Sequence, residues 1–226
     1  MLTALILAIA AYLVGAIPFG YLIARAKGVD IFKEGSGNIG ATNVKRVLGR
    51  GPGNLCFALD VLKGLLPTLA AGLILGTLGD LDAPPAGVWL WLLTPVATVL
   101  GHMFSPYLGF RGGKGVATGL GALLGVFWVL SAAVVGGLVV WLIVLKVSRY
   151  VGMASVCAAV SVPVWAVVLP IIIDGQLRPS VYPMLAIAGL LALLVVARHW
   201  GNLRRIFAGV EPKIRSKAER AELRGR

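Results

Sequence analysis

The sequence predicts an all-α polytopic membrane protein of about seven transmembrane helices, with its N-terminus outside and its C-terminus in the cytoplasm. Three observations predict it. Of 226 residues, 58% are hydrophobic and only 13% charged, with a mean hydropathy of +0.91. A soluble domain carries about a quarter charged residues. Six apolar stretches approach or exceed the roughly 20 residues that span a bilayer core. All but two of the 21 basic residues fall into four connecting or terminal regions, which is the pattern of cytoplasmic loops.

The apolar segments are 1–24, 54–78, 86–108, 116–146, 150–173 and 181–198. The first carries no charge, and its cations, Arg25 and Lys27, come after it. A secretory signal has a positive stretch before its apolar core, so 1–24 reads as a retained first helix entering from outside. The basic regions are 25–53, 109–115, 146–149 and everything from Arg198 onward; the other connections hold Asp80 with Asp82, and Asp174 with Arg178. Basic regions inside and acidic ones outside make 1–24, 54–78 and 86–108 alternate correctly. Segment 116–146 begins and ends in a basic region, so it crosses twice or not at all. Its 31 residues would form a helix of about 46 Å, long for one tilted span. Two short helices turning near Ser131 or Gly136-Gly137 fit better. Segments 150–173 and 181–198 then leave and return. No internal repeat is visible.

The net charge of +12 would point to nucleic acid in a soluble protein. Here membrane orientation accounts for it, and no nucleic acid is expected. Cys56 and Cys157 sit far apart in apolar runs, without metal or redox spacing, and read as small packing residues. Two histidines and scattered acids give no metal-ligand spacing either.

Three polar clusters carry the chemistry. The first runs from Gly35 to Arg46 and holds Ser36, Gly37, Asn38, Gly40, Thr42 and Asn43. Closely spaced glycines let backbone N–H groups converge on an anion, and Arg46 adds a planar fork that matches phosphate. A solvated connecting loop is the bland alternative, but it rarely needs so many donors. The second runs from Gly101-His102 to Phe110-Arg111-Gly112-Gly113-Lys114-Gly115-Val116-Ala117-Thr118. A P-loop would place Ser or Thr directly after Lys114; Gly115 stands there, which excludes that motif. Anion capture survives, because glycines and cations precede a helix start. The third is Arg198-His199 through Asn202, Arg204-Arg205, Gly209 and Glu211. His199 and Asn202 are i, i+3 and share a helix face. Asp60 and Lys63, also i, i+3, form a charged pair inside a span, where charge is costly and faces the bundle interior. It is either a self-neutralised structural pair or part of the substrate site.

These clusters resemble the signature motifs of the bacterial acyl-phosphate:glycerol-3-phosphate acyltransferase (PlsY) family, and the likeness covers nearly the whole chain up to Lys213. Arg111 stands where that family commonly has lysine, which keeps the charge. The resemblance implies a single membrane domain over 1–213, followed by a basic cytoplasmic tail over 214–226. It implies transfer of a fatty acyl group from acyl phosphate to the 1-hydroxyl of glycerol 3-phosphate, giving lysophosphatidic acid and phosphate. It implies a monomer in the bacterial inner membrane, surrounded by lipid, with the site on the cytoplasmic face and no cofactor. Ser36, Arg46, Lys114, His199 and Asn202 fall at the phosphate-binding and reacting centre. Gly37, Asn38, Gly40, Thr42, Asn43, His102, Gly112, Gly113 and Lys63 are expected to bind substrate, with Asp60 and Glu211 in support. The competing class, a transporter of a phosphorylated anion, would place charge along a path to both faces. Only Asp60 and Lys63 lie within a span.

Overall fold

The structure is a computed structural model that describes residues 1–214; all but the first residue of the expected basic tail lies outside the described residues. The described chain is helical: α1 (Leu2–Ala16), α2 (Phe19–Arg25), α3 (Ala41–Leu48), α4 (Arg50–Ile74), α5 (Pro85–Met103), a 3-10 turn (Pro106–Leu108), α6 (Val116–Leu124), α7 (Val129–Ser148), α8 (Val151–Asp174) and α9 (Val181–Phe207). Six helical stretches among these residues are long and apolar enough to cross a membrane. Large apolar side chains such as Leu5, Ile9, Leu142, Val164 and Leu193 are exposed, as a lipid-facing surface requires.

The expected first span is broken. Pro18 ends α1, because its ring supplies no N–H and disfavours a helical residue before it, and α2 restarts at Phe19. Segment 116–146 does turn back on itself, but at residues 125–128 rather than at Ser131 or Gly136-Gly137. Ser131 instead donates its hydroxyl to the Leu124 carbonyl at 2.7 Å, closing the end of α6. Gly136 lies against the Trp165 ring and Gly137 against Val162, so both serve the α7–α8 contact. The last span runs on past 198 to Phe207, carrying the third cluster as the end of α9.

The ends of the bundle sort by charge. Ser180 donates to the Leu81 carbonyl at 2.6 Å, and Arg178 pairs with Asp82. The Phe127 ring of the α6–α7 turn packs over Gly79 of the same end. The loops holding the three polar clusters gather at the other end. α6 is only nine residues long, about 13 Å of helix. Backbone contact without side chains between brings α4 and α6 together: a Cβ at Gly64 would overlap the Thr118 carbonyl, and one at Gly121 the Val61 carbonyl. Small residues commonly allow such approach in membrane bundles. The core around Trp91, Leu92, Val126 and Leu130 lies between these elements.

Candidate active site

The first loop is built around Asn43, which is buried. Its Oδ1 accepts the Ser36 N–H at 2.8 Å and its Nδ2 donates to the Glu34 carbonyl at 3.0 Å. Asn38 Oδ1 accepts the Gly40 N–H at 2.9 Å just before α3. Asn43 therefore spends its whole amide on the loop, while Asn38 spends its oxygen there and keeps its Nδ2 as a donor. Ser36, Thr42 and Arg46 are exposed, so they and Asn38 Nδ2 are the donors left for an anion.

The second loop is clamped from two sides. The Gly113 N–H donates to the His102 carbonyl at 3.1 Å, and the Gly113 carbonyl accepts Arg198 Nε at 3.3 Å. Arg198 Nη2 donates to the Met103 carbonyl at 2.6 Å, and the guanidinium stacks over Phe104. A Cβ on Gly113 would overlap His102 Nε2, and one on Gly112 the His102 carbonyl. These glycines are thus demanded by packing on the end of α5. Gly115 then adopts φ 78° to start α6, a conformation that costs glycine little.

The third cluster meets the second directly. Lys114 Nζ donates to Asn202 Oδ1. Asn202 Nδ2 donates in turn to Glu211 Oε1 at 2.6 Å, and Arg205 Nε to Glu211 Oε2 at 2.6 Å. Glu211 can reach back because α9 ends in a Schellman turn. Gly209 sits at φ 73°, its N–H bonds the Ile206 carbonyl, and the Val210 N–H bonds the Arg205 carbonyl, the pattern that closes helix ends at glycine. His199 is buried, and its Nδ1 lies 2.8 Å from the Val195 carbonyl. A carbonyl only accepts, so Nδ1 carries the proton and Nε2 is the free nitrogen of the neutral ring.

Lys114 is held well below the ordinary lysine value, at about 8. Burial is the largest cause; Glu211 opposes it, while Arg205, Arg46 and Arg198 reinforce it. The charges around Lys114 therefore come from the first and third clusters. The other expected contacts are placed differently. Lys63 is buried: it pairs with Asp60 at 2.8 Å and donates to the Ile17 carbonyl at 2.8 Å. His102 is buried too, with its Nδ1 3.7 Å from Asp60 Oδ1. Both are buried beneath the loops around Asp60, whereas the sequence predicts that they bind substrate. Two contacts are not legible in the sequence: Arg198 clamps the second loop, and the Cys56 thiol meets Asp60 beyond its expected packing. Only the cation next to His199 signalled the first, and nothing signalled the second.

A bundle with a lipid-facing surface, and a cation-rich, glycine-built polar centre at one end, defines an integral-membrane protein that handles anionic substrates at the bilayer surface. The model of the glycerol-3-phosphate acyltransferase family matches residues 5–209. The chain is 41% identical over 216 residues to a glycerol-3-phosphate acyltransferase of Geobacter sulfurreducens, covering 96% of this chain and all of the relative. It is 40% identical over 217 residues to one of Trichormus variabilis, covering 92% and 91%. Its fold is similar to the crystal structure of PlsY, an integral membrane glycerol 3-phosphate acyltransferase, in its glycerol 3-phosphate form. The TM-score is 0.79 at 39% identity over 94% of this chain and 96% of that one. A second PlsY structure, the lysophosphatidic acid form, gives 0.77 at 39% over 94% and 95%. The chain belongs to the glycerol-3-phosphate acyltransferase family.

Proposed function

We propose that this chain transfers a fatty acyl group from an acyl phosphate to the 1-hydroxyl of glycerol 3-phosphate. The observation that carries the reading is the run from Lys114 through Asn202 to Glu211 and Arg205, with the charges of Arg46 and Arg198 around it. This concentration of cations and oriented donors suits two substrates that both bear phosphate. The glycerol 3-phosphate and lysophosphatidic acid forms of the PlsY relative support the same acceptor and product here. An acyl phosphate is already an activated mixed anhydride, so the reading calls for no cofactor, no metal and no covalent intermediate.

In the step itself the glycerol hydroxyl oxygen bonds to the acyl carbon and the carbon–oxygen bond to phosphate breaks. Lys114 neutralises phosphate charge, Asn202 aims it, and Glu211 holds Asn202 in the orientation that accepts from Lys114. Ser36, Thr42 and Arg46 supply further donors from the first loop, which Gly37, Asn38, Gly40 and Asn43 shape. The hydroxyl proton passes to a substrate phosphate oxygen, whose second pKa of about 6 suits the transfer. In the neutral ring His199 Nε2 accepts, so His199 donates to phosphate only as the imidazolium, with both ring nitrogens protonated. The chain acts as a monomer, one membrane domain over 1–213, in the bacterial inner membrane. Its seven crossings, counting α6, leave the N-terminus outside and the site in the cytoplasm, where the basic loops belong.

A transporter of a phosphorylated anion would need cations open to the far end as well, and Arg178 there is paired with Asp82. Purified protein in detergent, given radiolabelled palmitoyl phosphate and glycerol 3-phosphate, should form lysophosphatidic acid. Transport needs a sealed membrane and would yield no product in detergent.

A further inference from the structure

Beneath both loops lies a buried polar cluster that the reaction does not touch. Asp60 in α4 is 2% exposed and Lys63 4%. Asp60 Oδ1 stands 2.8 Å from Lys63 Nζ and 3.7 Å from His102 Nδ1. Asp60 Oδ2 receives the Cys56 thiol at 3.7 Å, and that thiol also lies 3.9 Å from the Ile39 carbonyl of the first loop. Lys63 donates to the Ile17 carbonyl in the break between α1 and α2. The second residue of α2, Gly20, meets the same Ile39 carbonyl so closely that a Cβ would overlap it. On the other side the His102 ring fills the space beside Gly113, one residue before Lys114. A single charged pair thus reaches the helix break directly, the floor of the first loop through Cys56 and the floor of the second through His102.

We infer that Asp60 and Lys63 are a positioning pair: they hold the two glycine-rich loops at one separation, so that Arg46 and Lys114 address their phosphates together. This rests on the acyltransfer reading above. Neutralising buried charge alone would not require the pair to contact both loops. An ion pair in a span is also costly relative to apolar side chains of the same size. Its placement at the junction of three elements fits a geometric role.

The test separates geometry from charge neutralisation. Removing one partner strands a buried charge, whereas replacing both with apolar residues often leaves stability unharmed. The double variant Asp60→Leu with Lys63→Met is purified in detergent, and its thermal unfolding and its steady-state kinetics with palmitoyl phosphate and glycerol 3-phosphate are measured beside wild type. The expected result is an unfolding midpoint near wild type with kcat/KM for glycerol 3-phosphate reduced tenfold or more. A smaller loss in the folded double variant overturns the inference. If the double variant does not fold, His102→Asn decides, because it keeps the ion pair and removes the ring from Gly113. It should lose kcat/KM tenfold or more, and a smaller loss overturns the inference. Wild-type protein that makes no lysophosphatidic acid would instead refute the acyltransfer reading itself.

Discussion

Lys114 offers the sharpest pH test of the site. Its amine titrates at about 8, mainly because it is buried, with Arg205, Arg46 and Arg198 adding repulsion and Glu211 opposing them. A lysine binds phosphate only while charged. Its pKa is depressed, so the charge is present below about 8 and lost as pH rises through that value. At pH 7 about nine-tenths of the free protein would carry it, and at pH 9 about one-tenth. The quantity kcat/KM reports ionisations of the free enzyme. It should therefore fall about tenfold per pH unit above 8 for the substrate whose phosphate Lys114 holds. Two variants isolate the cause. Lys114→Arg keeps its charge beyond pH 12, so its reduced activity should show no fall between pH 7.5 and 9.5. Glu211→Gln removes the charge that raises the lysine, so its falling limb should move to lower pH. The assay is initial-rate phosphate release, with each substrate varied in turn. A wild-type profile flat to pH 9.5 for both substrates, or the same limb at 8 in Lys114→Arg, would refute the reasoning.

Other expectations concern the loops, the histidine and the topology. Gly113→Ala puts a methyl into His102 Nε2 and displaces the loop carrying Lys114. It should raise KM for glycerol 3-phosphate with a milder loss of kcat, the signature of weakened uniform binding. An unchanged KM in a folded variant counts against the assignment. With the proton going to substrate phosphate, His199→Gln keeps a donor near the Nε2 position and should retain measurable turnover, while His199→Ala should lose more. If both are equally inactive yet bind glycerol 3-phosphate normally, His199 is the base. Single cysteines placed at 80–85 in a cysteine-free background should react with an impermeant reagent from outside, and one at Ser36 should not. Reaction of both from the same side would sink the topology.

Charge placement made most of the architecture legible. The parity of basic connections asked for 116–146 to be two helices, and the structure divides it at 125–128 into α6 and α7. It could not locate the turn, because Gly136-Gly137 looks like a hinge in one dimension and serves helix contact in three. Proline was ambiguous for a related reason. Pro18 breaks its helix, while Pro67, Pro95, Pro163 and Pro170 remain inside theirs, where neighbouring groups can satisfy the freed carbonyls. The clusters were legible as clusters because glycines, amides and cations rarely coincide without an anion to bind. Composition could not say which amides face inward. Asn43 spends both ends of its amide on the loop itself and Asn38 its oxygen, and the Lys114–Asn202 contact spans 88 positions. Cys56 looked like filler because its polar neighbours come from Asp60 and the distant Ile39.

The central claim is that one site joins an acyl phosphate to glycerol 3-phosphate. Phosphate release from palmitoyl phosphate by purified protein, measured with and without glycerol 3-phosphate, tests it most directly. Release should depend on glycerol 3-phosphate and match lysophosphatidic acid formation mole for mole, as the bond changes require. Release at the same rate without the acceptor, or none with it, would contradict the account.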